Sequence, residues 1–228
     1  LDETRAFQTE LEDVHRSVEK LKELSNRRGA EEQVRNIASI QARLQKLNKD
    51  REFINAQEAD LDFEITDFPA LPKIMKNVKP YEELWKLALD VYSTIDPYLT
   101  DAWTRMPIEE LDPDEIEDKF KVMRRTCNRS KTAMEQLKVK APKNMASQIA
   151  GVLDNFSQWI PIIRALNIQG LKKKHLDRIN QKINEGKDIE MNLELSMDIQ
   201  ALGSMDIKKF TADIEEISDI AGKEYQNE

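Results

Sequence analysis

One cysteine, two histidines and six glycines serve a chain of 228 residues. With Cys127 alone, no disulfide can close within the chain, which fits a reducing compartment. His15 and His175 lie far apart in sequence, and one thiol cannot supply a thiolate site, so no zinc site is expected. No GxxxxGK[ST], GxGxxG or HExxH occurs, which removes the common phosphate cradles and the zincin helix. No apolar run approaches the roughly 20 residues that span a bilayer. No signal-peptide apolar core opens the chain. The expectation is a cytosolic segment with no membrane span, no cofactor and no catalytic centre of its own.

What is present points to helices. Charged residues make up 34% and hydrophobic residues 39%. Glu, Lys, Leu and Gln abound, and these side chains lose little rotamer freedom in a helix. The net charge of -8 argues against a nucleic-acid partner for the surface as a whole. The chain opens at Leu1 with a helical pattern already running and closes on Ala221 to Glu228, still polar and helix-compatible. It reads as a piece of something larger. Asn128-Arg129-Ser130 matches a glycosylation tripeptide, which is accidental in a cytosolic chain.

Phe7, Leu11, Val14, Val18 and Leu21 recur at spacings of four and three, the stripe of a helix packing lengthwise on another. Ser25 to Gly29 interrupts it, with Gly29 suited to a left-handed C-cap. A second stripe runs through Ile37, Ile40, Leu44, Leu47 and Ile54. Together they predict an antiparallel helical hairpin over residues 1–60. Prolines at 69, 72 and 80 and aromatics at 63 and 68 mark a change of character, and a boundary is placed near residue 60. Pro80 is expected at the first position of a helix whose face carries Tyr81, Leu84, Trp85, Ala88 and Tyr92. Asp112-Pro113 with Glu115 predicts a strong helix start resembling a capping box. Behind it, Ile116, Phe120, Met123, Cys127, Ser130, Met134 and Leu137 keep heptad spacing, and the helix is expected to end near Ala141-Pro142. The next helix carries Ile149, Val152, Leu153, Phe156 and Ile160, with Pro161 ending or kinking it. A short helix from Leu171 to Ile183 stops near Gly186. Met191, Leu193, Leu195 and Met197 alternate as in a short strand, and Ser204 is placed as the cap of a last helix. The predicted fold is all-α: a hairpin, then packed helical bundles forming an elongated rod.

Three features could carry function. Nine Lys/Arg and one acidic residue, Glu135, lie between Lys119 and Lys143. On the helix behind Asp112, Lys121, Arg124, Arg125, Arg129 and Lys131 are the candidates for docking an acidic partner surface; the plainer reading is a solvated face. Trp85, Trp103 and Trp159 each fall within a helical pattern and are read as core anchors rather than stacking platforms. Lys172-Lys173-Lys174 is a shorter basic run. Cys127 fits the apolar register of its helix, as a buried small hydrophobe does.

The order of these landmarks resembles the linker region of dynein heavy chains. Phe68-Pro69, Leu84-Trp85, Trp103, Pro107 and Leu111-Asp112 follow the family's opening pattern. Phe156, Pro161-Ile162-Ile163, Leu166, Lys172-Lys173-Lys174 and His175 follow its middle, and Ile214-Glu215-Glu216-Ile217 leads into Ala221-Gly222-Lys223-Glu224 as in its last block. The resemblance covers residues 60–228, with the hairpin before it similar to the end of the tail. One departure is Leu176, where the family has Trp. The divergence of the sequence suggests an axonemal rather than a cytoplasmic heavy chain. The resemblance implies residues 61–228 as the N-terminal part of the linker, a lever lying across the ATPase ring and alternating between bent and straight states. Implied partners are the ring of the same heavy chain, other dynein subunits and neighbouring dyneins. Microtubules would be met only through the parent chain, with no nucleic acid and no membrane involved. The implied location is cytoskeletal, in the ciliary axoneme. The competing reading is a passive spectrin-like helical scaffold, whose regular period the Pro-rich residues 60–80 interrupt.

Overall fold

Residues 2–100 and 106–228 are described by the computed structural model. Ten α-helices occur among them, and no strand does. They are α1 (Asp2–Lys20), α2 (Ala30–Asp60), α3 (Ala70–Asp90), α4 (Asp96–Thr100) and α5 (Pro113–Leu137), then α6 (Lys140–Ser157), α7 (Ile160–Leu166), α8 (Lys173–Asn184), α9 (Ile199–Ser204) and α10 (Thr211–Gln226). The chain divides into two compact units. One comprises Leu1–Leu89 with Thr126–Ile149, the other Asp90–Arg125 with Ala150–Glu228, so α5 and α6 each contribute to both.

In the first unit the predicted stripes become the interface of a hairpin. Phe7, Leu11, Val14 and Val18 of α1 and Ile37, Ile40, Leu44 and Leu47 of α2 are buried. Each such side chain contributes about 1.5–3 kcal/mol on leaving water. The start of α1 lies against residues 43–54 of α2, so the helices run antiparallel. Arg43 staples them, Nε donating to Glu10 at 2.7 Å and Nη2 to Asp13 at 2.5 Å. The turn between them is not made by a left-handed glycine. Gly29 has φ -87°, and the chain reverses through 3-10 turns at Leu21–Glu23 and Arg27–Gly29, with Asn26 Oδ1 accepting from the Arg28 amide at 3.1 Å. The polar side chain stabilises the turn that the glycine was expected to make.

Pro80 does not start a helix either. It lies inside α3, which begins ten residues earlier with Pro72 in its first turn. Leu71, Ile74, Val78, Tyr81, Leu84 and Trp85 form one buried face on both sides of Pro80, and that burial outweighs the lost backbone bond. The helix beginning at Pro113 ends at Leu137, short of Ala141-Pro142. Lys138 takes a left-handed φ of 57°, and Pro142 falls in the first turn of α6, where its missing N–H costs no helical bond.

In the second unit, α10 packs on α7 and α8 through Ile214, Ile217 and Ala221. Pro161 sits at the start of α7, and Gly186, with φ 75°, follows α8. Gly170 has φ 96°, and a Cβ there would stand 2.5 Å from Tyr225 Cβ, so the loop before α8 can approach α10 only with glycine. The short strand expected from Met191, Leu193, Leu195 and Met197 is absent. Residues 191–197 instead form a strap bonded on one side to side chains of α8 and on the other to the backbone of residues 108 and 109, the Leu195 carbonyl accepting from the Glu109 amide at 3.2 Å. Asn180 Oδ1 accepts from the Leu193 amide at 2.7 Å, and its Nδ2 donates to the Leu193 carbonyl at 3.2 Å. Asn184 Oδ1 accepts from the Met191 amide at 2.7 Å, while the Met197 carbonyl accepts from the Ile108 amide at 2.8 Å. Among the described residues no second strand lies alongside. Ser204 does not cap the last helix: it ends α9, whose own cap is Asp198, and a 3-10 turn at Ile207–Phe210 precedes α10.

Candidate functional site

The basic candidates all stand on α5. Asp112 Oδ1 accepts from the amides of Asp114 and Glu115 at 2.9 and 3.2 Å, satisfying two donors that the helix leaves open. Glu115 does not complete the box; its carboxylate takes Lys119 at 2.6 Å. Met123, Cys127, Ser130 and Met134 turn inward, and Ile116 is 8% exposed, so the basic residues face out or sideways. Lys121, Arg125 and Arg129 follow one another at four-residue spacing on a single strip. Arg124 lies off this strip and pairs with Asp154 of α6. Lys131 stands two positions beyond Arg129, about 200° round the helix, and so belongs to another face.

Much of the charge on this stretch is answered locally. Lys121 lies 3.0 Å from Glu117, Arg129 lies 3.9 Å from Glu83, and Lys143 lies 3.4 Å from Glu135. Glu117 also takes Arg164 of α7, and the cations of Lys121 and Arg164 hold its carboxyl below the usual carboxylate range. Arg125 and Lys131 are exposed and meet no carboxylate among the described residues. Val122, 62% exposed, lies between Lys121 and Arg125.

The tryptophans occupy different settings. Trp85 is 1% exposed in α3, and its indole N–H is buried without an acceptor among the described residues. Trp159 is buried where α6 gives way to α7, with Lys208 Nζ 5.5 Å from its ring centroid. Trp103 lies outside the described residues. Cys127 is buried, its thiol 3.6 Å from the Ala146 carbonyl oxygen.

A second polar cluster, of which the sequence showed only the basic run, surrounds the buried His175. Its Nδ1 accepts from the Lys172 amide at 3.0 Å, and Nε2, which then carries the proton, reaches Glu224 at 3.2 Å. Lys174 binds the same carboxylate, and Lys172 Nζ holds Glu228 at 2.6 Å. The Lys174 cation, then His175, lowers the Glu224 pKa. Two of the three consecutive lysines thus fasten the start of α8 to the end of α10. The clue was the basic run and the acidic Glu224 and Glu228, some 50 residues apart, which no local pattern joins. Leu176, at the position of the expected family Trp, is half-buried beside an open groove that also involves Lys173, Asn180 and Leu193. Among the described residues no three His, Cys, Asp or Glu side chains gather to hold a metal, and no helix is long and apolar enough to cross a membrane. An open groove of about 730 Å³ between α8 and α10 is lined by Arg178, Lys182, Asp213 and Glu216 with Ile217 and Ile220.

Comparison with known proteins gives a consistent result. The family model for "Dynein heavy chain, N-terminal region 2" matches residues 71–228. Dynein axonemal heavy chain 3 of Homo sapiens is 27% identical over 225 residues, covering 97% of this chain and 5% of the relative. Its counterpart in Mus musculus is 31% identical over 179 residues, covering 78% and 4%. Dynein axonemal heavy chain 1 of Rattus norvegicus is 25% identical over 193 residues, covering 83% and 4%. The chain therefore spans about one-twentieth of the length of these relatives.

Proposed function

Because the chain belongs to the dynein heavy chain family, we propose that it works as the tail-proximal half of the linker, a mechanical lever segment of the motor. The observation that carries this reading is the family match over residues 71–228, which falls on helices closely packed around buried aromatic residues. Residues 1–60 are then the end of the tail and residues 61–228 the N-terminal part of the linker. A lever must transmit force without dissipating it. Close-packed cores have low compressibility and pass strain on. The segment carries no reaction of its own; hydrolysis of ATP and contact with the microtubule belong to other parts of the parent chain. Its partners are the motor ring of the same heavy chain and other dynein subunits, in the cytoskeleton of the ciliary axoneme, as the axonemal relatives suggest.

In this role the strip of Lys121, Arg125 and Arg129 docks an acidic surface of the ring, while Arg124 beside it is engaged with Asp154 and Lys131 stands on another face of the helix. The arginines matter most, because their planar forks match carboxylates. Such contacts set register and encounter more than total affinity, and salt screens them. The test is a heavy chain carrying Arg125→Glu with Arg129→Glu. Reduced linker docking and slower microtubule gliding are expected, most clearly at low salt, while stability stays within about 1 kcal/mol because exposed pairs contribute little. Gliding at the parent speed across a range of salt would leave this strip an ordinary solvated face and favour the passive scaffold.

A further inference from the structure

The loop that closes α2 presents an apolar strip that a soluble chain would be expected to bury. Leu61, Phe63 and Ile65 are 63%, 66% and 56% exposed. Five consecutive residues hold all three, so they lie within roughly 14 Å of one another along the chain. Single exposed hydrophobes are ordinary, whereas three together mark a contact surface. The carboxylates interleaved with them are also exposed. Asp60, Asp62, Glu64 and Asp67 have no ion-pair partner among the described residues, and no Lys or Arg lies between Arg51 and Lys73. The last turn of α2 carries no basic residue, so the negative end of its dipole adds to the same field.

The loop is also held in shape. The Glu58 carboxylate accepts from the Thr66 amide at 2.7 Å and from the Thr66 hydroxyl at 2.5 Å. The Glu58 carbonyl accepts from the Phe63 amide at 2.8 Å. Asp62 takes the left-handed conformation, φ 54°, which stops α2. Beyond the strip, Phe68 is buried with its ring 4.4 Å from that of Phe7. A strip fastened on both sides loses little conformational entropy when it is covered.

We propose that Leu61, Phe63 and Ile65, with Asp60, Asp62, Glu64 and Asp67 around them, form a docking site for a basic amphipathic segment of a partner protein. Apolar anchors of that segment cover the three side chains, and its lysines or arginines reach past them to the carboxylates. An anionic lipid surface or a nucleic acid would meet like charge here. A neutral bilayer would have to dehydrate four carboxylates along with three apolar groups. Only a cationic partner with apolar anchors satisfies both halves of the strip.

The test uses the 228-residue chain and a fluorescein-labelled Leu/Lys amphipathic peptide, followed by anisotropy. Two control peptides accompany it: Ser/Lys, with the charge but no anchors, and Leu/Glu, with the anchors but the opposite charge. Saturable binding of Leu/Lys alone is expected. Phe63→Ser with Ile65→Ser should weaken it at least about tenfold, and Asp62→Asn with Glu64→Gln should weaken it and flatten its salt dependence. All four side chains are exposed, so the variants should melt like the parent. The proposal is overturned by equal binding of Ser/Lys, by unchanged binding to the Phe63→Ser, Ile65→Ser chain, or by no saturable binding at all. It is equally overturned if the strip drives self-association in sedimentation or flotation with phosphatidylcholine vesicles.

Discussion

Trp85 shows how much one residue decides. Its ring is 1% exposed in α3, and its N–H finds no acceptor among the described residues. Truncation to alanine removes the apolar contact and leaves a cavity, a loss of about 3–5 kcal/mol. Phenylalanine keeps most of the contact and removes the unmet donor, so it should cost far less. Urea melts of Trp85→Ala and Trp85→Phe measure the difference. Equal losses would mean that the N–H is satisfied after all; a melt of Trp85→Ala matching the parent would place the ring at the surface. Helical spacing put Trp85 on an apolar face. It could not tell that the N–H would go unmet, because that depends on which side chains of other helices arrive beside it.

At the scale of an element, the strap at 191–197 is the clearest case of a pattern read correctly but placed wrongly. The alternation of Met191, Leu193, Leu195 and Met197 signals an extended chain, and Leu193 is indeed buried. A strand also needs a neighbour on each side, and here α8 side chains serve Met191 and Leu193 while the backbone amides of Ile108 and Glu109 serve Met197 and Leu195. Asn180 offers an amide donor and acceptor to Leu193 in the arrangement a strand would supply, and Asn184 takes Met191. Asn180→Leu removes both bonds to Leu193 at a cost of about 1–3 kcal/mol. Hydrogen exchange at the Leu193 amide should accelerate by about one to two orders of magnitude, with the α10 amides little changed. Unaltered protection at Leu193 would show that packing rather than Asn180 holds the strap. The start of α5 was legible because a cap is a local event: Asp112, Pro113 and the two amides it serves lie within four residues. Its end was not, since Lys138 adopts a left-handed conformation that no residue type there demands.

For the whole molecule, carboxylates held by cations and by hydrogen bonds make stability depend on acidity. Asp13 is held below the usual carboxylate range by Arg43 and Arg16, Glu19 by Lys22 and His15, Glu58 by Thr66, Glu117 by Lys121 and Arg164, Glu224 by Lys174 and His175, and Glu228 by the nearby lysines. A carboxyl with a depressed folded pKa stabilises the fold above its unfolded pKa and loses that contribution as pH falls through the folded value. Burial raises the Asp90 pKa, which works in the opposite sense but for a single group. Burial, with a smaller push from Glu19, raises Tyr81, so its contribution is full below the unfolded tyrosine value and is lost as pH rises through the folded one. Melting temperature should therefore be flat near neutrality, fall below about pH 4 and fall again above about pH 10. Circular-dichroism melts across that range check it; a melting temperature that rises on acidification would contradict the linkage. The sequence by itself determined the helical class and most of the buried positions on the long helices, although Tyr92, expected on the face of Trp85, is 41% exposed, and the single Cys127 rules out a disulfide within the chain. Those follow from local spacing and residue type, and a period of 3.6 belongs to the backbone wherever the helix lies. Tertiary structure alone decided that α5 and α6 serve two units, that Arg43 meets Glu10 and Asp13, and that Lys174 and His175 share Glu224. Those partners stand some 30 to 50 residues apart along the chain. Which of them meet depends on the rotation and axial offset of whole helices, set by how their cores interlock.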